Sequence, residues 1–164
     1  LSRPKKEFTI KPEKKPAIEF SDAPEVQEIN FTVMGDCIAQ GRPRTAIIDG
    51  HAVVYDPAKN KVYKNYIKMG AAEAMQGRPL MEHPIEMDVY VFRPLLKSFS
   101  KKKRQAALDQ TLLPAGKPDV DNLYKTVSDA CEGVVYLNDS QITDLVIGKR
   151  YSDTPRVEVT VKEL

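Results

Sequence analysis

The chain has 164 residues, enough for one domain with a sizeable core, and its 41% hydrophobic content is ordinary for a globular protein. A net charge of only +2 does not announce a polyanion binder, so any such role must come from local placement of charge. Two cysteines with no Cys-x-x-Cys or Cys/His set argue against zinc, and no apolar run or signal peptide points to a membrane or to secretion; a cytoplasmic protein is expected.

Residues 1–28 read as an extended or disordered arm. Pro4, Pro12, Pro16 and Pro24 interrupt a stretch of Lys and Glu in which basic and acidic residues balance. It is either a flexible tail or an arm that reaches across a dimer. A single domain over 29–164 follows. Its predicted elements are a strand at Ile29–Met34, a basic loop at Gln40–Thr45 carrying Arg42 and Arg44, and a hairpin around Asp49-Gly50. A helix over about Asn60–Met75 and a strand at Ile85–Phe92 come next. Arg93, Lys97, Lys101, Lys102, Lys103 and Arg104 then form a run without a single acid, inside a segment of helical composition from Lys97 to Leu113. Such a run is a solvated face or a flap over a polyanion. After an acidic motif, Val134–Leu137 reads as a buried strand and Asn138-Asp139-Ser140 as a turn. Ile142–Lys149 and Arg156–Lys162 read as closing strands. The expected fold is α/β of the α+β kind, a mixed sheet with packed helices. His51 and His83 read as isolated surface or loop residues, and Cys131 as a buried thiol.

The acidic motif, between Lys117 and Gln141, carries the chemistry. Read as a helix with Asp121 at zero, Lys125 falls near ~40°, Asp129 near ~80° and Glu132 near ~20°. Leu123, Val127, Ala130, Cys131 and Val134 gather between ~180° and ~280°, which makes one face core and the other charged. Asp121 is the expected N-cap with Asp119 just before it, and Gly133 the expected stop. The end of the strand could then bring Asp139 to Asp119 and Asp121. Two carboxylates ~4 Å apart repel by ~4 kcal/mol at an effective dielectric of ~20, a conflict that Mg²⁺ or Mn²⁺ would remove. Lys125 would offset part of the repulsion or face a phosphate. Taken singly these features are ordinary: an aspartate pair caps helices, Lys125 and Asp129 make an i,i+4 pair, and Asp-x-Asp recurs in metal-dependent sugar transferases. A Ca²⁺ loop fails for want of the glycine and closing glutamate.

The ordered set has a resemblance. Lys117-Pro118-Asp119-Val120-Asp121-Asn122, Lys125, Asp129-Ala130, Gly133 and Asn138-Asp139-Ser140-Gln141 are similar to the signature of RusA-type Holliday junction resolvases. Phe31-Thr32-Val33, Gly35, Gln40-Gly41-Arg42-Pro43-Arg44 and Val54-Tyr55-Asp56-Pro57 resemble the family's opening strand and basic loop. The resemblance runs from about Ile29 to the C-terminus. It implies a small homodimeric endonuclease of bacterial or phage origin, dependent on Mg²⁺ (Mn²⁺ substituting). Such enzymes act in recombination and repair, nicking a four-way junction on two strands to leave 5′-phosphate and 3′-hydroxyl ends. Carried over, the essential aspartates fall on Asp119, Asp121 and Asp139, as metal ligands, and the essential lysine on Lys125. Arg42, Arg44, Lys101, Lys102, Lys103, Arg104 and Lys117 are the expected DNA contacts. Asn138 stands where many members carry a second acid, which leaves Asp139 as the essential one. The competing readings are a nuclease for other branched or flap DNA, an Asp-x-Asp nucleotide-sugar transferase, and a non-catalytic DNA-binding dimer.

Overall fold

Alternation of apolar and polar residues builds the sheet. In β1 (Glu28–Met34) Ile29, Phe31 and Val33 point inward while Glu28, Asn30, Thr32 and Met34 face out. The computed structural model describes residues 26–42, 44–49, 51–55 and 57–164, so nearly all of the arm expected over 1–28 lies outside them, and Glu28 already belongs to β1. β2 (Arg44–Ile48) and β3 (His51–Tyr55) form a separate two-stranded hairpin, with Asp49 at φ 50° at its turn, as the sequence pattern predicts. Helix α1 (Ala58–Met75) follows. Tyr63, Ile67, Ala71 and Met75, four apart, make one buried stripe that packs on β1.

β4 (Ile85–Pro94), β5 (Ile142–Ser152) and β6 (Arg156–Glu163) complete a mixed sheet in the order β1-β6-β4-β5. β6 is antiparallel to both β1 and β4, with Phe31 and Val89 each opposite Val159. β4 and β5 are parallel, and parallel neighbours need a long crossover. That crossover, residues 95–141, holds α2 (Lys101–Leu108), α3 (Val120–Cys131) and the whole acidic motif. The inward side chains of β4 and β6 (Ile85, Met87, Val89, Val91, Val157, Val159, Val161) form the core with α1 and α3. Polar and aromatic groups cover the opposite sheet face. There the Arg156 guanidinium lies 3.9 Å over the Phe92 ring.

One predicted strand is absent. Residues 134–137 turn back on the end of α3: Gly133 N donates to Tyr136 O at 2.8 Å and Val135 N to Cys131 O at 2.8 Å. Only isolated bridges from Tyr136 to Met81 and to Glu132 remain of the expected pairing. Val135 and Tyr136 are buried as expected, but Leu137 is exposed. A buried tyrosine hydroxyl needs a partner, and Tyr136 Oη donates to Ser128 O at 2.9 Å, holding the turn against the helix. Burial pushes the Cys37 thiol up to about 11 and the Cys131 thiol up to about 12, so both stay protonated and unreactive at neutral pH. Among the described residues no helix is long and apolar enough to cross a membrane.

Candidate active site

α3 sits where the sequence places it, with Leu123, Val127, Ala130 and Cys131 fully buried. Its start differs. Asp119, not Asp121, takes the N-cap position, with extended backbone at φ −69° and ψ 150°, and Asp121 lies in the first turn. Proline at 118 favours an extended or turn conformation before it, so the helix begins as soon as the Pro ends. The Asp119 carboxylate makes no capping hydrogen bond and is exposed, as is Asp121, whose Oδ1 accepts from Asn122 Nδ2 at 3.4 Å. Gly133, at φ 72°, stops the helix in the left-handed conformation expected of it.

Asp139 is held by its neighbours. Asn138 caps a 3-10 helix, Asp139–Gln141, accepting from Ser140 N at 3.0 Å, and Gln141 Oε1 accepts from Leu137 N and Asn138 N, both at 2.9 Å. The Gln141 amide then donates to Met81 O and His83 O, each at 3.0 Å, which anchors the turn to the segment before β4. Asn138 also donates to Glu132 Oε1 at 3.2 Å. Asn138 and Gln141 therefore act as the frame, and the one acid between them meets Lys125 at 3.6 Å.

A row of alternating charge crosses the site. Lys64 of α1 bonds Asp129 at 2.9 Å, Lys125 bonds the other Asp129 oxygen at 2.8 Å, and Lys125 reaches Asp139 at 3.6 Å. Lys64 and Asp129 are largely covered, with 14% and 24% of their side chains exposed, whereas Lys125 at 52% opens to solvent. The hydrogen bond to Asp129, with the charges of Asp129 and Asp139, holds the Lys125 ammonium pKa above its usual value despite some desolvation. Burial by itself would raise the Asp129 carboxyl, but the two lysines outweigh it and hold it below the usual carboxylate range. The i,i+4 pair predicted from sequence is present. Its buried anchor, Lys64, carried no sequence signal because it comes from a helix some sixty residues away.

The trio Asp119, Asp121 and Asp139 is not gathered. Among the described residues no three His, Cys, Asp or Glu side chains form a set able to hold a metal ion. Lys125 pairs with Asp129 and Asp139, while Asp119 and Asp121 lie at the start of the same helix. The donor chemistry still suits Mg²⁺, a hard cation that needs only one or two carboxylates because it keeps several waters.

The expected basic contacts lie on separate segments of the chain. Gln40 N donates to Asn122 O at 2.8 Å and Asn60 Nδ2 to Ala39 O at 2.6 Å, so the loop with exposed Arg42 is braced between α3 and α1. Arg44 opens β2 and Pro43 lies outside the described residues. Lys101, Lys102, Lys103 and Arg104 are all exposed on α2, which Ser100 caps by accepting from Lys103 N. α2 is tied to β5: Gln110 Nε2 donates to Tyr151 O at 3.0 Å, and the Phe99 and Tyr151 rings meet edge to face at 5.3 Å. Lys117 is exposed two residues before Asp119. Sequence reasoning missed Lys149 of β5, whose ammonium donates to Gly116 O at 2.8 Å and Pro118 O at 2.9 Å and clips down the loop that leads into Asp119.

Over residues 35–162 the chain matches the model of the family described as Endodeoxyribonuclease RusA. The chain belongs to the RusA endodeoxyribonuclease family. A Bacillus subtilis (strain 168) protein, Uncharacterized protein YqaN, is 47% identical over 140 residues, 83% of this chain and 96% of that protein. Membership of the RusA family makes the chain an endodeoxyribonuclease that binds branched DNA, and it sets the sugar-transferase reading aside. The match spans the α3 motif, the Asp139 turn and the basic α2, so the RusA-like part contains every expected site residue.

Proposed function

We propose that this RusA-family endonuclease resolves four-way DNA junctions as a homodimer, with a divalent cation, by paired nicks that leave 5′-phosphate and 3′-hydroxyl ends. The observation that carries the reading is the charge row Lys64–Asp129–Lys125–Asp139, which fixes an ammonium beside one acid and on the same helix as two others. Asp119, Asp121 and Asp139, which are not preassembled as a three-carboxylate set, would hold Mg²⁺ once drawn together on it; when bound, the ion would polarise a phosphoryl oxygen and make water a better nucleophile. Lys125 has its own task. Kept charged by Asp129, it faces the charge that grows on the phosphoryl oxygens as the bond to the leaving oxygen breaks. Arg42, Lys117 and the α2 cations bind backbone phosphates around a centre that is itself acidic.

A junction offers two equivalent strands, and one such centre cannot hold both scissile phosphates. A C2 dimer with one centre per subunit matches that symmetry. Val62, Tyr66 and Met69 support it: they lie at i, i+4 and i+7 on α1, each more than half exposed.

A nicking assay on a synthetic four-way junction, with duplex and flap controls and with Mg²⁺ or EDTA, tests the reading. Paired nicks in the junction alone, and only with Mg²⁺, are expected. Flap cleavage with an intact junction would move the substrate assignment, and full activity in EDTA would remove the cation.

A further inference from the structure

A cavity of about 150 Å³ lies directly beside the loop that leads into Asp119. Its walls include Arg93 and Pro94 from the end of β4, Lys149 and Tyr151 from β5, and Lys117 and Pro118 from the loop. Three of these residues are cations, and none of the lining residues is an acid. Among the described residues Asp36 compensates one of the three cations, from outside the cavity, through Arg93 Nε at 3.1 Å. The remaining hydrogen-bond capacity is large. An ammonium has three N–H donors and a guanidinium five. Lys149 spends two on Gly116 O and Pro118 O, and Lys117 and both Nη nitrogens of Arg93 have no protein acceptor among the described residues. A small cleft with surplus charge, unspent donors and a partly apolar rim (Pro94, Leu96, Pro114) fits a phosphodiester, whose charged oxygens need donors and whose sugar needs apolar contact.

We propose that this cleft is a phosphate subsite for the DNA strand, holding a non-scissile backbone phosphate next to the one cut. The proposal rests on the reading of the Asp119 centre as the cutting site. Lys149 gives the subsite its purpose: the same ammonium that contacts the phosphate holds the carbonyls of Gly116 and Pro118, so strand binding is transmitted to the loop that ends at Asp119. A phosphate seated here fixes the strand's register on the centre, which a long-range basic patch such as α2 cannot do.

The test is a cycle between protein and DNA, read as binding in EDTA so that no cutting intervenes. Junctions carry a neutral methylphosphonate at single positions on either side of the cut, and the proteins are wild type and the double variant Arg93→Gln, Lys117→Ala. In wild type, one methylphosphonate position should weaken binding severalfold. In the double variant that same position should have no further effect, while the slope of log K against log salt falls by about 0.9, one phosphate's worth. Additive losses at every position, or an unchanged slope in a variant with wild-type circular dichroism, would overturn the subsite. The same chemistry would also suit free phosphate. Should inorganic phosphate shift the Gly116 and Lys117 amide resonances while no methylphosphonate matters, the DNA assignment is wrong. Nicking by the wild type is scored in parallel, so failure of the junction reading shows there and failure of the subsite shows only in the cycle.

Discussion

Replacing Asp129 with asparagine removes the charge that joins Lys64 to Lys125 while keeping the shape of the side chain. At 2.9 and 2.8 Å, and an effective dielectric of about 20, each lysine is attracted by about 6 kcal/mol before desolvation and screening. Most of that is returned. The Lys125 pair is half open to solvent and retains about 1 kcal/mol or less, as exposed pairs do. The Lys64 pair is mostly covered, and stranding a covered charge costs more, up to about 3–5 kcal/mol when burial is complete. Lys64 keeps a little solvent and a further interaction, so about 2–3 kcal/mol in total is expected for Asp129→Asn. For a chain of this size that lowers Tm by roughly 5–10 °C. Activity should fall as well, by about tenfold or more, because Lys125 loses its shorter tether. The pH profile separates position from fold. Asp129 raises the Lys125 pKa, so the charged form persists further into alkali in wild type, and in Asp129→Asn the alkaline limb of the nicking rate should move to lower pH. At the acid end the sign is opposite. Asp129, with its folded pKa depressed, stabilises the protein above the unfolded value of about 3.9 and loses that contribution as pH falls through the folded value, a loss the asparagine variant should lack. Scanning calorimetry and a rate profile from pH 6 to 11 measure both, the alkaline limb of the variant lying at the lower pH. A variant that melts with wild type and keeps its alkaline limb would refute the charge row.

Three further outcomes follow from the site. Asp119→Asn, Asp121→Asn and Asp139→Asn should each lose Mg²⁺-dependent nicking while junction affinity in EDTA changes little, since affinity comes from phosphate contacts; near wild-type nicking by any one of them removes that residue from the ligand set. Replacing Lys101, Lys102, Lys103 and Arg104 together by alanine should weaken DNA binding and flatten its salt dependence, by about 0.9 for each phosphate no longer neutralised, and an unchanged slope would make the exposed face of α2 a solvated surface only. If the proposed dimer forms through this face of α1, Val62→Glu with Met69→Glu should give a monomer by light scattering with wild-type circular dichroism, because both side chains are exposed; a dimer that survives these charges places the interface elsewhere.

Local pattern carried much of this protein. The 2-residue alternation of Ile29, Phe31 and Val33 in β1, and of Val157, Val159 and Val161 in β6, depends only on which residues avoid water. The same holds for the apolar face of α3, and for Gly133, which adopts a backbone conformation costly for other residues. The order of Asp119, Asp121, Lys125 and Asp139 along the chain was enough to point to the family. Tertiary structure decided what depended on distance between remote segments. Val134–Leu137 has strand composition, but it follows a helix stop so closely that its hydrogen bonds go back to α3, and Tyr136 claims Ser128 O. The start of α3 moved to Asp119 because the capping position is set by backbone angles after Pro118, which side-chain identity alone does not specify. Lys64 and Lys149 look like any surface lysine in the sequence. Each gains its role only when the fold brings α1 against α3, or β5 under the Gly116–Pro118 loop, close enough for an ammonium to meet an acceptor below 3 Å. A charge's partner is a matter of geometry across the chain, and sequence spacing reports it only within one helix or one strand.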